Sequence, residues 1–200
     1  MFNIVQKNKL TVLIFHKVPH VSNPLTPLET PLETFKNVLH FIKEQFRVIP
    51  LSDAVTALKA GNLPHRAACI TFDDGYPDWV TGIAPLLESE GLPATFFITT
   101  GQLNGQAMWN ERILHAVMRA NDGHEGVELK ASGLPHLPLM SQTDRVKAIE
   151  KLDSFLKYTA PAEREMYLQF LEDQMGARCS DVPVLTPAQV RNLHSRGFEI

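Results

Sequence analysis

The 200-residue chain is 44% hydrophobic and 20% charged, with a net charge of −3, enough for one domain with a buried core. That balance gives no basic surface for nucleic acid or an anionic membrane, and neither a charged tail nor a low-complexity tract marks disorder. Cys69 and Cys179 are too few and too isolated for a disulfide framework or a cysteine zinc site.

Near the N-terminus, Lys7 and Lys9 precede the apolar run 10–15, which superficially looks like a signal peptide. The run is shorter than the roughly seven residues such a segment needs, and His16-Lys17 ends it without a cleavage site. Its β-branched content predicts a buried strand over 10–18 instead. No stretch reaches the length of a membrane span, and the expected location is cytoplasmic.

A helix is expected over 31–46, with Thr30 as cap, Glu33 completing a capping box and Pro31 at the first helical position. Phe35, Val38, Leu39 and Ile42 form its apolar stripe. A short strand over 47–51 and a helix over 52–60, stopped by Gly61, come next. The alternation continues with a strand over 67–72, a helix over 84–90 ended by Gly91, a strand over 94–99 and a helix over 109–120. Strands joined by helices imply parallel pairing, hence an α/β sheet or barrel.

The alternation lapses from residue 121. Residues 121–138 are rich in Gly, Pro and His and read as a loop, followed by helices over 142–158 and 162–175. The last helix takes Thr186 as cap, Pro187 at its first position and Gln189 as the capping-box partner, and 198–200 opens one more strand. With no repeat or dividing linker, the expectation is a single domain over 1–200 carrying a loop and helical insertion over 121–185.

Asp73 and Asp74 follow the 67–72 strand and precede Gly75. Carboxylates at the carboxyl end of a strand face the usual active-site side of an α/β fold, and adjacent ones repel unless a cation or a shared proton relieves them. A metal on one and a proton on the other would resolve the repulsion. A solvated Asp-Gly turn is the competing reading, and the chemistry alone weighs the two equally.

The surroundings of the pair carry more information. Ile70-Thr71-Phe72-Asp73-Asp74-Gly75-Tyr76, then Gly91-Leu92-Pro93-Ala94-Thr95-Phe96-Phe97, and the opening Phe15-His16-Lys17-Val18, resemble the polysaccharide deacetylase family (the chitooligosaccharide-deacetylase homology domain). Trp109-Asn110 and the helical insertion resemble one bacterial subgroup of it.

The resemblance implies a distorted, incomplete (β/α) barrel, a divalent metal, usually zinc, and an N-acetylated glycan as substrate. It implies Asp73 as catalytic base and Asp74 as metal ligand. His16, Tyr76, Trp109 and Asn110 would contact the substrate. It also implies a second motif, His-Ser/Thr-x-x-His, soon after a stretch like 196–200, supplying two more metal ligands. These 200 residues hold no such motif, so a fragment with an unfinished metal site, inactive by itself, is expected. His16 is the best substitute ligand, while His20, His40, His65, His115, His124, His136 and His194 show no ligand spacing among themselves. The alternative is a non-catalytic relative that binds glycan or a partner through the same face. A dehalogenase-type phosphatase ranks far behind, because its two Asp are separated by one residue.

Overall fold

The computed structural model describes residues 8–121, 123–129 and 133–200; Lys7 and part of the 121–138 loop lie outside them. The chain divides into two compact units, a sheet unit (Met1–Ser22, Leu28–Asn104 and Val184–Ile200) and a helical unit (Asn23–Pro27 and Gly105–Pro183). In chain order the sheet unit begins with β1 (Thr11–Phe15), α1 (Leu32–Gln45), β2 (Arg47–Val48) and α2 (Leu51–Lys59). It continues with β3 (Ala67–Asp74), a π-helical turn (Trp79–Ile83), α3 (Ala84–Glu90) and β4 (Thr95–Ile98). The helical unit contributes α4 (Trp109–Arg119), the hairpin β5 (Gly126–Val127) and β6 (Leu137–Pro138), α5 (Gln142–Lys157) and α6 (Pro161–Met175). The chain then returns to the sheet unit with α7 (Pro187–Ser195).

The sheet is parallel and centred on β3, an incomplete α/β barrel interrupted by a helical insertion. Ala68 pairs with both Thr11 of β1 and Val48 of β2, and Phe72 with both Phe15 of β1 and Phe96 of β4. So β1 runs along one side of β3, while β2 and then β4 follow one another along the other. A strand buried on both faces should read as a near-continuous apolar run, as 67–72 does apart from Thr71.

Side chains alternate between the two faces of β3. On one face the rings of Phe15, Phe72 and Phe96 lie side by side, with Phe72 and Phe96 stacked at 5.2 Å. Phe35 of α1 meets Phe15 edge-on at 4.9 Å, and Trp79 lies 4.9 Å from Phe96. Each such pair adds about 0.5–1.5 kcal/mol beyond its buried area. The other face carries Cys69, Thr71 and Asp73, flanked by Ile14 on β1 and Phe97 on β4, which stay 58% and 49% exposed. Cys69 is buried as expected; burial first, then the Glu199 carboxylate, push its thiol up to about 11, which leaves it inert.

Two helix starts differ from the sequence reading. Helix α1 begins at Leu32 with Pro31 as its N-cap, and no side chain caps it, so the Thr30–Glu33 box does not form. Helix α2 starts at Leu51 after Pro50, again without a local cap. Its cap comes from the far end of the chain: Glu199 accepts from the Leu51 N–H at 3.1 Å, from the Ser52 N–H and hydroxyl, and from the Thr95 hydroxyl at 2.6 Å. Glu199 also bridges to β4, its N–H donating to Ala94 O and its C=O accepting from Phe96 N, which is the strand start expected at 198–200. The α7 capping box of Thr186 and Gln189 forms as read.

The helical unit buries Ile113, Val117, Val127, Leu139, Leu152 and Leu171. Within that unit Arg112, 7% exposed, is held by Glu172, 8% exposed, through Nε at 2.7 Å, and by Glu165 through Nη1 at 2.6 Å. Arg145 ties the helix ends to the hairpin by donating to Val117 O, Ala120 O and Leu139 O.

Both ionic clusters give testable outcomes. Burial raises the Glu199 carboxyl pKa, but the hydrogen bonds from Ser52, Thr95 and Leu51 outweigh it and hold the group below the ordinary glutamate value. A carboxyl depressed in the fold stabilises above its unfolded pKa of about 4.3, and that contribution is lost as the pH falls through the folded value. Glu199→Ala should therefore cost about 0.5–2 kcal/mol at pH 7, the worth of a helix cap, with the gap to wild type closing in acid melts. Arg112→Ala should cost about 3–5 kcal/mol in denaturant titrations, because it strands Glu172, whereas joint replacement of Arg112 and Glu172 by leucine should recover most of the loss.

Candidate active site

Strand β3 extends two residues beyond the predicted 67–72, so Asp73 and Asp74 are its last residues, opposite Phe97 and Ile98 of β4. Asp73 continues the face of Cys69 and Thr71. Asp74 has φ of 88°, left-handed backbone that a side-chain-bearing residue rarely adopts, and Gly75 follows at 100°. The backbone holds this bend through Thr99 N, which donates to Asp74 O at 3.2 Å. A Cβ on Gly75 would meet only ordinary contacts, the nearest 3.8 Å from Leu185 and Thr99, so the backbone angle and not space requires glycine. Strain of this kind is retained where the surrounding structure over-determines it, and it concentrates at functional sites.

His16 follows the last residue of β1. Since Phe15 pairs with Phe72, His16 arrives at the same edge as Asp73, with an exposed side chain. Tyr76 is mostly buried, its ring 6.4 Å from that of Trp79, with the Lys17 ammonium 5.7 Å from its centroid. The sheet unit thus gathers Asp73, Asp74, His16 and Tyr76 at one end of three parallel strands. Trp109 and Asn110 open α4 of the helical unit, where the Arg164 guanidinium lies 5.0 Å from the Trp109 ring centroid.

Asp78 was missed by the sequence reading. Its Oδ2 accepts from the Val18 N–H at 3.0 Å, while its Oδ1 is buried with no hydrogen-bond partner among the described residues. The next residue, Trp79, donates from Nε1 to His16 O at 2.9 Å. Two consecutive side chains from the π-helical turn region, a feature frequent at functional sites, therefore clamp the backbone that carries His16. Burial pushes Asp78 up to about 6, against the Val18 N–H and the charges of Lys17 and His20, which favour the carboxylate. The only signal in the sequence was an acid four residues after Asp74, which spacing alone does not distinguish from a surface residue.

Among the described residues no group of three or more His, Cys, Asp or Glu side chains is placed to hold a metal ion. A groove of about 350 Å³ opens beside His16, Lys17 and Tyr76. A larger one of about 840 Å³ runs along α2 and β4 past Val55, Phe97 and Ile200 and includes none of the predicted site residues. Among the described residues no helix is long and apolar enough to cross a membrane.

Residues 60–200 match the family model for polysaccharide deacetylase. The chain belongs to the polysaccharide deacetylase family. It is 23% identical over 148 residues to the putative polysaccharide deacetylase YxkH of Bacillus subtilis (strain 168), across 73% of this chain and 50% of that protein. The chain thus spans about half the length of the curated relative it matches. Among solved structures, IcaB from Ammonifex degensii is similar at 17% identity and a TM-score of 0.43, over 94% of this chain and 96% of that one. The Streptococcus pyogenes deacetylase PplD, in complex with acetate, is similar at 14% identity and a TM-score of 0.43, over 94% and 80%.

The raised Asp78 makes a pH prediction. Between the ordinary aspartate value of about 3.9 and about 6 the folded chain holds more protons than the unfolded one, so stability falls as the pH rises through that window. Asp78→Asn keeps an acceptor for Val18 and removes the charge. It should melt above wild type at pH 7.5, with the difference vanishing near pH 4. An equal loss at both pH values would contradict the assignment.

Proposed function

We propose that this chain carries the two-aspartate part of a metal-dependent hydrolase site that removes N-acetyl groups from a polysaccharide or oligosaccharide. The observation that carries the reading is the Asp73-Asp74 pair at the carboxyl edge of β3, with Asp74 held at a left-handed φ of 88°. Hydrolysis adds water across the amide C–N bond and leaves acetate and a free amine on the sugar. In this reading Asp73 takes the proton from the attacking water. Asp74 is one ligand of a divalent cation, zinc by family resemblance, which would polarise the N-acetyl carbonyl. His16 and Tyr76 of the sheet unit contact the glycan.

The donor set does not fit a complete catalytic zinc site. Such a site takes three protein ligands, and the described residues bring no group of three together. The 200 residues by themselves are therefore expected to be inactive. The same observation favours a second reading, a relative that binds glycan without cleaving it.

Acetate release from an N-acetylated glycan, assayed with added zinc, separates the two. The 200-residue chain should release none. A protein that joins it to a His-Ser/Thr-x-x-His segment encoded just beyond Ile200 should release acetate, and Asp73→Asn should slow that release by about a hundred- to ten-thousand-fold. If the reading frame beyond Ile200 encodes no such segment, the hydrolase reading fails and saccharide binding indifferent to chelators is expected.

A further inference from the structure

The chain leaves the sheet unit at Asn104 and enters the helical unit at Gly105. Asn104 ends a short helical turn (Thr100–Asn104) that follows β4 and reaches back to the aspartate edge. Gln102 N donates to Thr99 O at 3.1 Å, and Thr99 N in turn donates to Asp74 O at 3.2 Å. The Gln102 Oε1 lies 3.9 Å from where a Cβ on Gly75 would stand.

Asparagine followed by glycine is a reactive pair. The glycine nitrogen, once deprotonated, can attack the side-chain amide carbon, and no Cβ on the glycine obstructs it. Whether a fold permits the reaction depends on how firmly the amide and the following peptide are held.

Three observations single out Asn104. First, it is the only asparagine in the chain directly followed by glycine. Second, it is exposed, and among the described residues no hydrogen bond holds its side chain or the Gly105 N–H. Gly105 has a φ of 86°, and a Cβ there would meet nothing within 4 Å, so this peptide has room to turn. Third, comparable pairs are restrained. Asn37, Asn110 and Asn192 lie inside α1, α4 and α7. Asn23 Oδ1 accepts from the Leu25 N–H at 2.9 Å, and Pro24 after it has no N–H to lose. Asp74-Gly75 has the same succession of side-chain carbonyl and glycine nitrogen, yet Thr99 pins its backbone.

We propose that Asn104 is a site of spontaneous covalent modification. The Gly105 nitrogen attacks the Asn104 Cγ, a C–N bond forms and ammonia leaves, giving a succinimide. Water then opens the ring at either carbonyl, leaving aspartate, or isoaspartate with one extra carbon in the main chain. Water is consumed, ammonia is released and the chain gains one negative charge. Because the turn is bonded through Thr99 to Asp74 and sets Gln102 beside Gly75, the change reaches the backbone bend at the aspartates. None of this depends on the deacetylase reading.

The test is incubation of the folded 200-residue chain in heavy-oxygen water at mildly alkaline pH, followed by peptide mapping by mass spectrometry. Labelled oxygen should enter at Asn104 about tenfold or more faster than at any other asparagine, the advantage of an attacking neighbour without a Cβ. Asn104→Gln should remove that product. In amide NMR spectra Gly75 should acquire a second signal as the label accumulates, and keep a single one in Asn104→Gln. An Asn104 that reacts no faster than the other asparagines would overturn the site. So would a rate more than about tenfold below that of the urea-unfolded chain, since such protection means that the fold holds the turn closed. A Gly75 signal unmoved by complete conversion would overturn the link to the bend.

Discussion

Pairing of β3 on both of its sides is the constraint from which the rest of the sheet unit follows. A central strand has no free edge, so its polar backbone is satisfied by β1 on one side and by β2 and β4 on the other, and both its faces can be apolar. The aromatic face sets the position of α1 through Phe35 and of the π-helical turn through Trp79. The opposite face ends in Asp73. A carboxylate pair placed there is held by a strand that cannot shift register without moving the aromatic cluster to the wrong side.

Two long-range clamps complete that frame. Glu199 supplies from the end of the chain the cap that Pro50 cannot give α2, and in doing so it fixes where residues 198–200 meet β4. Asp78 and Trp79 supply the other, fixing the backbone of His16 to Val18 at the edge where the aspartates lie. Both clamps use a carboxylate, with opposite consequences. Glu199 is surrounded by donors and is depressed, whereas Asp78 has one oxygen without a donor and is raised. Asp78 is the more deeply buried of the two and meets fewer donors, and both differences push the pair apart.

The helical unit follows different rules. Its core is aliphatic, and its polar specificity is concentrated in Arg112, which two glutamates of α6 grip from a neighbouring helix. A buried pair of this kind adds little net stability over an apolar one, but it penalises packings that would leave an ion alone.

Much of the fold was legible in the sequence because the signals were local. The mostly apolar run at 67–72, the Gly91 stop after α3 and the Thr186–Gln189 box each depend on residues within one turn or strand, and each stands in the structure. The Asp-Asp-Gly sequence and its surroundings likewise carried the family resemblance, which the match over residues 60–200 bears out. What failed had a rival that local sequence does not show. Thr30 and Glu33 match a capping box, yet the helix starts after Pro31, and the Leu32 N–H is taken by Pro19 O instead. The tertiary structure alone decided that Asp74 adopts a left-handed backbone, that Glu199 caps α2 and that Asp78 clamps Val18. Each of these depends on partners brought together by strand pairing rather than by sequence spacing, 147 residues apart for Ser52 and Glu199 and 60 for Val18 and Asp78.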